Sequence, residues 1–195
     1  MPVPSSLIGA NIRAASGLFG PSWFTLSEGI GIGVMAWLHS NPANLFLMGG
    51  TPVGAAGAGM VQGKLTCVPN PSIVIGACWG SGLVGIQIPE IATAVAVGVA
   101  NSISQTGLYT GASVGTSGGG DVSVCTFANP ATLIPALQAG ITALGPGILS
   151  PQLATGLGNG IAAMMIGGLN GTGIVAPVAP APAIAAGLSP TSIVV

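Results

Sequence analysis

The clearest pattern of apolar positions lies between residues 129 and 144 and predicts a short helix. Apolar residues recur there at three- and four-residue spacing, which puts them on one helical face: Leu133, Leu137, Ile141 and Leu144. Pro130 suits a first helical turn, where a backbone N–H is not needed. Pro135 lacks the N–H that a helix interior requires, so we expect the helix to begin near Ile134. The Gly-Pro-Gly run at 145–147 is expected to end it.

A second apolar stripe follows and predicts a second helix that begins near Pro151, with one face formed by Leu153, Leu157, Ile161 and Met165. This helix also carries Gly156 and Gly160, four residues apart. Two other segments repeat that spacing of small residues: Gly29 with Gly33, and Ala94 with Gly98. Small residues at this spacing let helix backbones approach closely. Because each Gly costs about 1 kcal/mol of helix stability relative to Ala, packing against neighbours must compensate.

The helical pair belongs to a longer pattern that occurs three times. The Ile-Ala-Thr run at 91–93 is matched by Leu-Ala-Thr at 153–155, a spacing of 62 residues, and the Gly-rich segment that begins at Gly50 recurs in similar form from Gly111. We therefore predict three tandem helical-hairpin units of about 62 residues, each followed by a Gly-rich extended or β segment. Their bounds are about 5–66, 71–126 and 130–195. The alternative is chance self-similarity of a chain rich in Gly, Ala and Val.

These units predict an α+β fold dominated by helices, built as a single domain over residues 1–195. The run from Tyr109 alternates Val, Thr and Ser with Gly, which favours strands. Uncharged strand edges pair readily with another chain, so we expect subunit contacts along the Gly-rich segments. Residues 175–195 form a Pro- and Ala-rich tail, expected to run extended along a neighbour.

Charged residues are almost absent, at 3% of the 195 residues. The ionised side chains are Arg13, Glu28, Lys64, Glu90 and Asp121, and the one imidazole is His39. Ordinary chains are about one quarter charged, so this chain has too little charge to cover its surface as a soluble monomer. With a mean hydropathy of +0.85, most of its surface is expected to meet protein or lipid. The absence of basic patches argues against nucleic-acid binding through phosphates.

Long uncharged stretches suggest membrane spans, but Gly and Pro interrupt them. A spanning helix needs about 20 apolar residues, whereas the helices expected here have about 12–16. The segment Ser72–Ile88 is uncharged, yet it contains four glycines. Short hairpins packed in an assembly therefore fit better than single-pass spans.

We predict no catalytic, cofactor-binding or metal site. Glu28 and Glu90 hold equivalent places near expected helix starts, where a carboxylate interacts favourably with the helix dipole. The third equivalent place holds the uncharged Gln152, which argues against a catalytic carboxylate pair. His39 is expected at a helix end, where an imidazole meets free carbonyls.

The remaining chemistry-bearing residues are also expected to be structural. Without Cys-x-x-Cys spacing, three cysteines are expected to be free and buried rather than zinc ligands: Cys67, Cys78 and Cys125. Asp121 follows three glycines, and because no Gly-Lys-Ser/Thr follows, we expect a turn there. The tryptophans are expected to be core or interface anchors, with a membrane-interface belt as the alternative: Trp23, Trp37 and Trp79.

Three stretches together resemble the small, nearly uncharged, Gly-rich virion structural proteins of tailed bacteriophages: IPEIATAVAVGVANSI, VGTSGGGDVSV and NPATLIPALQAGITALGPGILSPQLATGLGNGIA. The likeness covers about residues 89–175 and is carried by the Leu-Ile-Pro run at 133–135, the 145–147 turn and the PQLATGLG stretch from Pro151. The first unit and the Pro-rich tail depart from it. The resemblance implies a non-enzymatic subunit of the tail, baseplate or tail tip, and it brings no catalytic residues.

The leading hypothesis is therefore a virion subunit, assembled in the host cytoplasm, whose partners are other copies of itself and other virion proteins. The alternative is a membrane-active pore or plug that meets the host membrane during genome delivery, since hairpins can satisfy backbone polar groups in lipid. An enzyme is the third class, and it would need a pocket that brings His39 beside Asp121 or a glutamate.

Overall fold

The computed structural model describes residues 4–40, 44–48, 55–143, 150–179 and 187–188. Helices and strands alternate along these residues in the following order: α1 Ser5–Ala14, α2 Pro21–Ser40, β1 Leu45–Met48, β2 Ala55–Cys67, α3 Pro71–Gly80, α4 Ile88–Thr106, β3 Leu108–Ala128, α5 Pro130–Ala143, α6 Ser150–Gly168, β4 Leu169–Ala179 and β5 Gly187–Leu188. The fold is α+β and dominated by helices, as predicted. Pairs of helices alternate with strands in this order: β1 and β2 follow the first pair, β3 follows the second, and β4 and β5 follow the third.

Helices α5 and α6 are the two helices predicted first. Leu133, Leu137 and Ile141 are buried on α5, and Leu157, Ile161 and Met165 are buried on α6, as the spacing predicted. The expected start near Ile134 is wrong, because α5 begins at Pro130 and contains Pro135 in its interior. The Asn129 side chain accepts a hydrogen bond from the Ala131 N–H at 3.1 Å, which stabilises the earlier start. Leu144 and the 145–147 turn lie outside the described residues.

Two helices are longer than the sequence led us to expect. Helix α2 has 20 residues and α4 has 19, in place of about 12–16. Helix α6 loses helical geometry at Ile166 and Gly167, so its regular part, residues 150–165, stays within the expected length. The internal glycines of α2 and α4 interrupt the hydropathy without ending the helices, because neighbouring helices pack against them. Within the described residues, no helix combines the length and the hydropathy that crossing a membrane requires.

The helices of the described chain pack as a closed ring in the order α1, α2, α5, α6, α3, α4, with α4 returning to α1. Helices that are consecutive in a pair remain neighbours in this ring. In addition, the second helix of each pair packs against the first helix of another pair: α2 on α5, α6 on α3, and α4 on α1.

Small residues make these contacts between pairs unusually close. A Cβ added at Gly98 would lie 2.5 Å from the Ile12 Cα, and one added at Gly33 would lie 2.6 Å from the Leu137 Cα. The same addition at Gly160 would lie 2.7 Å from the Val74 Cα. These distances leave no room for any side chain, so the helix backbones are in direct contact, as the spacing of small residues predicted.

The Gly-rich segments pair with one another within the chain. Strand β2 pairs antiparallel with both β3 and β4, and β3 also pairs antiparallel with β4 through its second half. Because all three pairings are antiparallel, the two halves of β3 must run in different directions. Strands β1 and β5 each pair with β3 and also contact each other, so the sheet curls back on itself. Subunit contacts along these segments stay a prediction.

The turn expected at Asp121 is wrong. Its backbone belongs to β3, where Asp121 lies opposite Gly173 on β4. The register shifts between Gly119 and Asp121, which is an irregularity of the β-bulge kind and bends the strand locally. The three preceding glycines accommodate this bend because they have no side chains to clash.

The first part of the predicted tail is extended and pairs with its own chain, and contact of the tail with a neighbour stays a prediction. Residues 175–179 complete β4 and pair with β2. Residues 180–186 and 189–195 lie outside the described part of the chain.

One continuous apolar core fills the helical ring and includes Ile8, Ile30, Val99, Leu137 and Ile161.

Candidate functional site

Arg13 and Glu28 form a compact ionic cluster between α1 and α2. The Arg13 Nη1 donates hydrogen bonds to the Glu28 Oε1 at 2.6 Å and to the Ser27 Oγ at 2.9 Å. The guanidinium also lies 4.2 Å from the centre of the Phe24 ring, a cation–π contact. Helix α2 begins at Pro21, so Glu28 lies well inside the helix. The expected interaction of this carboxylate with the dipole at a helix start is therefore wrong.

The other predicted polar positions lie apart from this cluster. Glu90 is in the first turn of α4, as expected, and is exposed. Gln152 follows the start of α6 by two residues, and His39 lies in the last turn of α2, where the sequence placed it. Of Asp121 only the backbone position on β3 is described. Within the described residues, no group of three or more His, Cys, Asp or Glu side chains is arranged to hold a metal ion.

The three cysteines are free and buried, as predicted. Burial raises the pKa of the Cys67 thiol to about 12, and the neighbouring Cys125 adds to the rise. Burial likewise raises the pKa of Cys78 and of Cys125 to about 11 each. Since the thiolate is the reactive form, these thiols are poor nucleophiles in the folded chain.

We expect a thiol-specific disulfide reagent at pH 8 to label the folded chain at least about 100-fold more slowly than the chain in guanidinium. Three thiols should react once the chain unfolds. Above about pH 9 the unfolded chain loses thiol protons that the folded chain retains, so stability should fall as pH rises toward 11–12. Rapid labelling of any thiol in the folded chain would contradict this burial.

Two of the three tryptophans are core residues. Trp37 is fully buried and its Nε1 donates a hydrogen bond to the Thr132 Oγ1 at 2.9 Å. Trp23 is 7% exposed, and its Nε1 is buried with no hydrogen-bond partner. Trp79 is 57% exposed on α3. The expected anchoring role is thus confirmed inside the core for Trp23 and Trp37, whereas Trp79 is available at the surface.

Large apolar side chains are exposed where helices of a pair are joined. Phe19, in the connection between α1 and α2, is 92% exposed, and Val84 and Ile86, between α3 and α4, are 90% and 97% exposed. The two connections lie at the same end of the ring, because Gly17 in the first approaches the Glu90 carboxylate beside the second. We name this end, formed by residues 15–20 and 81–87, the loop face; the strands leave from the opposite ends of the helices.

A cleft of about 220 Å³ opens at the loop face, between the α1–α2 connection and the start of α4. Its walls include Phe19, Trp23 and Ile91. Neither the cleft nor the exposed residues were predicted from the sequence. A usable signal was present, since Leu-Phe at 18–19 and Leu-Val at 83–84 are apolar pairs flanked by glycines in connections too short for a core element.

Comparison with protein-family models, with curated proteins and with solved structures gives no match to this chain. The features that bear on function are therefore the loop face, the scarcity of charge and the arrangement of the helices.

Proposed function

We propose that this chain is a non-enzymatic structural subunit of a phage virion, located in the tail, baseplate or tail tip and packed against other virion proteins. The observation that carries the proposal is the loop face, where Phe19, Val84 and Ile86 are each at least 90% exposed. Exposed apolar clusters of this kind mark interaction sites. Only 3% of the residues are charged, so the chain has little surface charge to keep it soluble without a partner.

The proposal includes three copies of one structural unit, each a helix pair with its strand. The three contacts between pairs are alike, because a second helix meets a first helix through Gly33, Gly98 or Gly160 in turn. The corresponding strand pairings are similar but differ in register by one residue, because Gly171, the counterpart of Gly111, lies opposite Ser123. Val61 lies opposite Gly111, and Val122, its sequence counterpart, lies opposite Thr172.

Three similar units around one axis favour a central position in a symmetric assembly. Oligomeric rings have rotational symmetry, and a chain with approximate threefold symmetry presents comparable surfaces to each subunit of a threefold or sixfold ring. A single copy on the axis satisfies that geometry. The loop face lies at one end of the helical ring, which suits end-on contact with such a partner.

Quantitative mass spectrometry of purified virions tests this function. We expect the chain in the particles at one copy per tail, and absence from the particles would rule the function out. Replacing the exposed residues in the double variant Phe19→Ser with Ile86→Ser should release the subunit from particles without unfolding it. The matched control is Val68→Ser, since Val68 is 61% exposed next to β2, away from the loop face.

A membrane-active pore or plug is the second candidate, and the same exposed residues favour it. Phe19, Val84 and Ile86 form an apolar end without a Lys or Arg in either connection. Apolar side chains on an exposed end can enter a lipid interface. Flotation of the purified chain with liposomes separates the two functions: a virion subunit should stay with the protein fraction, whereas a membrane-active protein should float.

A further inference from the structure

The strands of the sheet form a nearly closed barrel in which neighbouring strands are antiparallel. Around this barrel the described strands follow the order β1, second half of β3, β4, β2, first half of β3 and β5. Strands β2 and β4 and the second half of β3 have pairing partners on both sides. The remaining edges of the described sheet belong to β1, which β5 contacts, and to the first half of β3, with which β5 pairs. A single strand in the position of β5 therefore closes the barrel.

Strand β5 covers only a part of the opening that remains. Leu188 lies opposite Ser113, which also pairs with Gly59 of β2, so β5 and β2 lie on opposite sides of β3. Because the pairing is antiparallel, β5 points along β3 toward Leu108 and the helices. Among the described residues, no strand pairs with residues 108–112 of β3 on the side away from β2. We name the opening between β1 and residues 108–112 the seam.

The sequence that follows β5 has the length and the composition of a strand that fits the seam. Residues 189–195 number seven, and five residues of β3 line the seam, so the segment is long enough even with an extra residue at a bulge. Four of the seven residues are β-branched, which favours strands. Pro190 lacks an N–H, but β4 holds Pro177 opposite Gly59 next to a register shift, so this sheet accommodates proline in a paired strand.

We propose that the seam is a binding site for an extended segment, and that residues 189–195 of the same chain occupy it as a continuation of β5. The same chain is the source because β5 already lies beside the seam, which makes the pairing intramolecular. Occupation closes the barrel, and closure removes the strand edges along which another chain could pair. Neighbouring subunits then have the helices and the loop face as contact surfaces, rather than the Gly-rich strands.

Hydrogen exchange measured by mass spectrometry tests the proposal. We expect residues 45–48 and 108–112 to exchange at least about tenfold faster after deletion of residues 189–195, because their backbone groups lose a strand partner. The amides of α4 and α5 are internal controls whose exchange should not change while the helical ring stays folded. Adding the synthetic peptide SPTSIVV to the shortened chain should restore the protection, whereas a peptide of the same residues in scrambled order should not.

A matched pair of substitutions tests the seam in the full chain. Ile193→Pro removes a backbone N–H that a strand between two neighbours requires, whereas Ile193→Thr keeps this N–H and a β-branched side chain. The proline variant should speed the exchange of residues 108–112 at least about tenfold, and the threonine variant should leave it within about twofold. Equal exchange in the two variants would contradict pairing of this segment in the seam.

The outcomes separate this proposal from the proposed function. Equal exchange of residues 108–112 with and without residues 189–195 overturns the proposal, even when the chain is present in virions. Protection that disappears on about tenfold dilution of the full chain assigns the seam to a strand from a second copy and also overturns it. A protected seam in a chain that is absent from virions would support the closed barrel and remove only the proposed function.

Discussion

Replacing Gly98 by Ala is expected to lower the free energy of unfolding by about 2–3 kcal/mol or more. The added Cβ would lie 2.5 Å from both the backbone N and the Cα of Ile12, where α4 crosses α1. Backbone atoms cannot turn aside as a flexible side chain can, so the two helices must separate and lose packing along their contact. Denaturant unfolding followed by circular dichroism measures the change.

The same substitution at Gly76 is the control. Gly76 is exposed on α3 and has no atom within 4 Å of an added Cβ, so Gly76→Ala should stabilise the chain by up to about 1 kcal/mol through helix propensity. Equal effects at Gly76 and Gly98 would contradict the close contact between helices.

Two further substitutions extend this test to the other pairs. Gly33→Ala and Gly160→Ala would place a Cβ 2.6 Å from the Leu137 Cα and 2.7 Å from the Val74 Cα. If the three units are structural copies, both variants should be destabilised to a similar degree as Gly98→Ala. A small effect at one site alone would show that the units differ in packing even where their sequences align.

Local pattern was sufficient to predict the buried faces of the helices. Leu137 on α5 and Ile161 on α6 are buried because a period of 3.6 residues fixes which side chains share a face. The pattern could not identify partners, since Gly33 has the same spacing whichever helix it meets. The pairing of α2 with α5, and of α4 with α1, depends on tertiary packing that no local periodicity records.

The candidate site was predicted only in part, for the same reason. Burial of the cysteines followed from their apolar surroundings, and the position of His39 followed from the end of the apolar run in α2. The pairing of Arg13 with Glu28 could not be predicted, because it depends on how α1 and α2 fold back on each other. Exposure of Phe19 is the property of a short connection, where hydropathy alone would have placed this side chain in the core.

A buried hydrogen-bond network links the end of α2 to the start of α5 next to the sheet. The Trp37 Nε1 donates to the Thr132 Oγ1 at 2.9 Å, and that hydroxyl donates to the Asn44 Oδ1 at 2.8 Å. The Asn44 Nδ2 in turn donates to the Trp37 backbone carbonyl at 2.8 Å. Asn44 and Trp37 are buried, so neither has water as a substitute partner. The network therefore depends on the single hydroxyl of Thr132.

Thr132→Val is expected to destabilise the chain by about 2–3 kcal/mol, because it leaves the Trp37 N–H and the Asn44 carbonyl buried without this partner while the side-chain volume hardly changes. Thr142→Val on the same helix is the control. Its hydroxyl bonds only to carbonyls of α5, so its loss should cost within about 0.5 kcal/mol. Denaturant unfolding gives both values, and an upfield shift of the Trp37 indole N–H should accompany the first. A destabilisation by Thr132→Val no larger than that of the control would mean that the hydroxyl does not hold α2 and α5 together.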